Sequence, residues 1–97
     1  MAEDEQRLIE EIQAELAKLK VSDLLLQTVY SVSSLGYQRV YGEGRDLEQA
    51  RLAIDALRAL VPVLEGSVSE DAQRDFNQVV ANLQLAYASA VAEEPQA

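Results

Sequence analysis

LLLQTVYSVSSLGYQ, residues 24–38, contains no charged side chain. Charges crowd both flanks, with Glu15, Lys18, Lys20 and Asp23 before it and Arg39, Glu43, Arg45 and Asp46 after it. A surface helix of a globular protein normally shows one charged face. Here Leu24, Leu25, Leu26, Val29, Tyr30, Val32 and Leu35 spread around most of a helical circumference. The polar residues Gln27, Ser31, Ser34 and Gln38 recur at steps of four, three and four, so they form one neutral stripe. A helix apolar on most sides is expected to be covered on most sides. In a chain of 97 residues that cover is expected to include a second copy of the protein. The self-association surface expected from this stretch comprises Leu25, Leu26, Val29, Tyr30, Val32 and Gly36.

Working outward, the central helix should run over 23–41. Gly36 costs about 1 kcal/mol relative to Ala inside a helix, and the small residues Ser33, Ser34 and Gly36 point to close approach of another helix. Gly42, Glu43, Gly44 and Arg45 form a turn. Asp46 then opens a helix over 46–65 as its N-cap, with Gln49 completing a capping box. Leu47, Ala50, Ile54, Leu57, Val61 and Leu64 follow at steps of three and four. The opposite face carries Glu48, Arg51, Asp55 and Arg58, a solvated ladder of alternating sign rather than a catalytic array. Pro62 removes one helical hydrogen bond and should curve the final turn before Gly66, the expected C′ residue. Ser67 or Ser69 caps a last helix over 69–92, in which Ala72, Phe76, Val79, Leu83, Ala86 and Ala90 share one seam and Leu85 points away from it.

Upstream, residues 1–20 form a charged amphipathic arm. Ile9, Ile12, Leu16 and Leu19 make a short a/d seam of barely two heptads. The expectation is a helix docked on its own domain or on a dimer mate. A break is expected at Val21, Ser22 and Asp23, with Ser22 able to cap the central helix. Residues 93–97 are expected to be a frayed tail. No stretch combines β-branched density with alternation of period two. The predicted fold is therefore all-α: an antiparallel bundle of three core helices within 21–92, plus the N-terminal arm.

Composition removes several functions. The net charge is −9, and the eight Lys and Arg are scattered among seventeen acids. A nucleic-acid binder carries a basic stripe that neutralises phosphates, and an anionic membrane surface would repel this chain. The charge suits a basic protein partner instead. With no Cys and no His, disulfides, thiolate nucleophiles, imidazole ligands and Ser-His triads are excluded. The acidic start, MAEDEQRLIEE, is unlike a secretory signal, and the uncharged run is shorter than the ~20 residues a membrane span needs. The expectation is a cytoplasmic protein.

Gly42 and Gly44 lack the third glycine and the preceding strand of a dinucleotide loop. Carboxylates alone could ligate a metal only by converging from several helices, and here they lie off the apolar seams. No catalytic residue, cofactor or metal site is expected. The reading from residues is a non-enzymatic, self-associating interaction or scaffold module, with a homodimer favoured. The alternative is an enzyme or small-ligand binder whose site lies at a subunit junction lined by Tyr30, Tyr37, Tyr41 and Asp23.

Leu35-Gly36, Asp46-Leu47-Glu48-x-Ala50-Arg51, Ile54-Asp55, Leu57, Gly66, Leu83 and Tyr87, in that order, give the chain a resemblance over about 21–87. It resembles a family of short all-helical bacterial proteins of unknown function. It departs from that pattern in lacking a Pro-containing acidic loop after the central helix. Leu64-Glu65-Gly66-Ser67-Val68 also replaces the family's usual turn, and the arm lies outside the match. The resemblance implies an all-helical domain of this length and no particular activity, cofactor or site residue.

Overall fold

The structure is a computed structural model that describes residues 2–94. It is all-helical, with four α-helices and no strand among the described residues. The first, α1 (Ala2–Lys18), begins with Glu3, Asp4 and Glu5 and ends with Lys18, charges placed to suit the helix dipole at both ends. None of its residues is buried, and it packs on no other element. The radius of gyration is 18.2 Å, against about 13 Å for a compact chain of 100 residues. The arm therefore projects, and docking on its own domain is not what the fold displays.

The break falls at Leu19 and Lys20, ahead of the expected position. Lys20 is extended, and its carbonyl accepts the amides of Asp23 and Leu24 at 3.0 and 3.3 Å. Helix α2 (Val21–Val40) thus starts with no side-chain cap, and Ser22 falls inside its first turn instead of at the cap. Asp23 still lies where negative charge favours a helix start.

Helix α2 buries Val29, Ser33, Gly36 and Val40, a seam with steps of four, three and four. It ends at Tyr41, where Gly42 takes φ +62° and opens a single 3-10 turn over Gly42–Gly44. That turn is tied back by Arg39, whose guanidinium donates to the Gly44 carbonyl at 2.9 Å. The Arg39 carbonyl in turn accepts the Asp46 amide at 2.7 Å. This last bond explains why the capping box is only half made. The Asp46 carboxylate accepts the Gln49 amide at 3.3 Å, but the Asp46 amide that Gln49 would have satisfied already belongs to α2.

Helix α3 (Leu47–Val63) buries Ala50, Ile54, Leu57 and Val61, and carries Pro62 in its last turn. Gln73 donates from its side chain to the Val61 carbonyl at 2.9 Å, fastening this loosened end. Gly66 takes φ +85° in the turn that follows, a conformation disfavoured for any residue with a Cβ. Ser69 caps α4 (Glu70–Glu93) by accepting the Ala72 amide at 3.1 Å. Phe76, Leu83 and Ala90 are its buried residues. Of the tail expected over 93–97, Glu93 closes α4, Glu94 caps it, and residues 95–97 lie outside the described residues.

Helices α2, α3 and α4 each pack on the other two. Their seams meet in one core, with Leu57, Leu64, Leu83, Val29 and Val61 its largest fully buried side chains.

Candidate self-association surface

The chain hides much of what its uncharged stretch exposes as an isolated helix. Val29 is 1% exposed and Gly36 is buried, both covered within the same chain, so neither belongs to an outward surface. Leu25, Leu26 and Val32 are half-buried against the core. Only Tyr30, of the six expected residues, is well exposed. Its ring meets buried Phe76 of α4 edge-on, with centroids 5.5 Å apart, so one edge of it serves the core. Part of the expected surface is therefore corrected to core, for a reason of size: Gly36 lets two helices come close at once. A Cβ placed there would lie 3.0 Å from the Ala53 Cβ of α3 and 3.0 Å from a Leu83 methyl of α4.

The neutral stripe of Gln27, Ser31, Ser34 and Gln38 faces solvent. Beside it, α2 exposes Val21, Leu24 and Leu35. Leu35 belongs to an open groove of about 280 Å³ between α2 and α3, lined by Val32, Leu35, Gly36, Leu52, Ala53 and Ala56 with Arg39 and Gln49. Leu52 is 60% exposed there. The residue pattern gave little warning of Leu52, because it lies off the core seam of α3 and reads as an isolated apolar residue. Its meaning comes from its neighbours on α2.

The larger uncovered feature is α1. Leu8, Ile9, Ile12, Leu16 and Leu19 are between 50% and 59% exposed. Ile9, Ile12, Leu16 and Leu19 make one stripe by their spacing, and no residue of α2, α3 or α4 packs on it.

The residues considered for a ligand site are not gathered. Asp23 and Tyr37 are fourteen positions apart on α2, about 21 Å at 1.5 Å per residue. Tyr37 and Tyr41 share a shallow depression with Gln38, Gly42 and Gly44, while Tyr30 sits over Phe76. Burial, and secondarily the neighbouring Tyr41 phenol, raise the Tyr37 pKa above the ordinary 10.0. A phenol held neutral in this way is a poor base at neutral pH.

A wider depression of about 480 Å³ lies between the start of the 3-10 turn and α4, with Arg45 and Glu93 in its lining. Arg45 is engaged structurally, donating to the Ala90 carbonyl and pairing with Glu94 at 3.5 Å. Glu48, Arg51, Asp55 and Arg58 all face solvent on α3. Among the described residues, no group of three or more carboxylates is placed to hold a metal ion. No helix among them is long and apolar enough to cross a membrane.

Compared with family models, with curated proteins and with solved structures, the chain matches none.

Proposed function

We propose that this chain is a non-enzymatic cytoplasmic interaction module that acts as a homodimer, its three core helices forming an antiparallel bundle from which the arm reaches out. The observation that carries this reading is the bare apolar stripe of α1. At 17 residues α1 only just exceeds the about 12–15 below which isolated helices are marginal even with favourable sequences. An amphipathic helix acquires most of its stability from burying its apolar face. This chain supplies no cover for that face, so a partner must. A second copy is the partner always present at equal concentration, and the acidity of the chain additionally suits a basic protein bound at the assembled surface.

Sedimentation velocity over a wide concentration range tests the reading. A shift from monomer to dimer mass with rising concentration is the expected result. A chain that stays monomeric throughout, with α1 helical, would remove the reading.

A further inference from the structure

We propose that the arm of one copy seats in the α2–α3 groove of a second copy, and that the second copy's arm returns the contact. This rests on the self-association reading and names the two surfaces that meet.

Among the described residues, the uncovered apolar surface includes the stripe of Ile9, Ile12 and Leu16 on α1 with Leu19 just past its end, and the groove walled by Val32, Leu35 and Leu52. The simplest alternative, pairing of two α1 helices, covers the first and leaves the second open. It is also small. A stable interface takes about 20–30 residues a side, and one stripe of a 17-residue helix offers well under half of that. Reciprocal exchange engages the stripe and the groove on both copies, so each contact is made twice by symmetry.

Charge favours the same choice. Helix α1 carries six acids against Arg7 and Lys18, and pairing two arms would set these acidic helices side by side. The groove presents the opposite sign, because Arg39 is the one charged side chain in its lining. Arg39 is held there by its bond to the Gly44 carbonyl. The acids Glu10, Glu11 and Glu15 lie off the apolar stripe, free to remain at the rim while the stripe enters. The groove floor is low because Gly36, Ala53 and Ala56 carry little or no side chain, which leaves room for the branched side chains of the arm.

The absence of native cysteine makes the test clean. Two full-length variants, Ile12→Cys and Leu52→Cys, are mixed at a concentration where the chain is dimeric and joined with a short bis-maleimide linker. Both positions are exposed, so the fold is kept. The expected product links Ile12→Cys of one copy to Leu52→Cys of another. In parallel, Ile12→Asp and Leu52→Asp should each weaken dimerisation roughly 100-fold, since each change is met twice in a symmetric dimer. If Ile12→Cys links chiefly to itself and Leu52→Asp still dimerises, the arms pair with each other; the exchange is then wrong while self-association stands. Linkage within one chain of an Ile12→Cys/Leu52→Cys double variant at monomer mass would show the arm folding back, and would also overturn the exchange. A wild-type chain that is monomeric throughout would overturn both this proposal and the reading beneath it.

Discussion

Replacing Gly36 by Ala sets a gain in helix propensity against a loss in packing, and the structure decides the sign. Ala is better than Gly in a helix interior by about 1 kcal/mol. Against that, the new methyl would lie 3.0 Å from the Ala53 Cβ and 3.0 Å from a Leu83 methyl, where carbon atoms prefer about 3.5–4.0 Å. Leu83 is fully buried, so its methyl has little free space to swing into. The Ala53 Cβ is fixed to the α3 backbone, so relief there requires α2 and α3 to move apart by a few tenths of an ångström. Such a shift weakens the dispersion contacts along the whole seam, by up to about a quarter of the well as the gap nears half an ångström. Overpacking of this kind costs about 1–3 kcal/mol, and two close contacts place Gly36→Ala in the upper part of that range. The net expectation is a loss of about 1–2 kcal/mol. With a urea m-value of about 1 kcal/mol/M, the midpoint falls by roughly 1–2 M. A double-mutant cycle with Ala53→Gly isolates the contact. Alone, Ala53→Gly costs about 1 kcal/mol, but in the Gly36→Ala background it should cost less or restore stability, a coupling of about 1 kcal/mol. Gly36→Ala with an unchanged or raised midpoint, or strict additivity with Ala53→Gly, would refute the claim that Gly36 sets the spacing of these helices.

Leu83→Ala removes a side chain at the centre of the core and should cost about 2–5 kcal/mol by equilibrium unfolding, a large share of the stability of so small a domain. Arg45→Gln breaks the pairing with Glu94 and weakens the hold on the Ala90 carbonyl; the expected loss is about 1 kcal/mol, read as faster amide exchange confined to the last turns of α4. Burial of Tyr37 favours its neutral form, so its contribution to stability is fully present below pH 10.0 and is lost as pH rises through its higher folded value. Phenolate absorbance should show one tyrosine ionising late, and Tyr37→Phe should flatten the alkaline limb of the stability curve. In α1, amides should exchange almost unprotected in dilute solution and gain protection as the dimer forms. Protection at dilutions where the chain is monomeric would place the stabilising contacts of the arm elsewhere.

The helices were legible because their periodicity and their stop signals agree. Leu47, Ala50, Ile54, Leu57, Val61 and Leu64 recur at helical steps, and all but half-buried Leu47 are core. Asp46 and Ser69 both cap as their residue types demand, and Pro62 falls in a final turn. What the sequence concealed was a helix boundary and a competition for backbone groups. Ser22 misses the cap position because α2 begins at Val21, with extended Lys20 as its N-cap and no side-chain cap. Gln49 loses half of its box because the Asp46 amide bonds Arg39 across the turn. Such choices depend on how two helices meet, which local spacing does not encode.

The uncharged stretch was half understood, and the missing half has a physical cause. Absence of charge states that a helix can be covered, but it does not state by what. Small residues govern that second question, since they set how closely neighbours approach. Gly36 and Ser33 lie on the same face as Val29 and Val40, so α3 and α4 close tightly over this face and take it into the core. The same small residues displace the uncovered apolar surface to the side. With Gly36, Ala53 and Ala56 at its floor, the junction of α2 and α3 remains a groove between the taller Leu35 and Leu52. The small residue that completes the core thus also leaves space beside it. In an assembly formed by arm exchange, Gly36→Ala would reach the groove only through the spacing of α2 and α3, because its methyl is directed at Ala53 and Leu83.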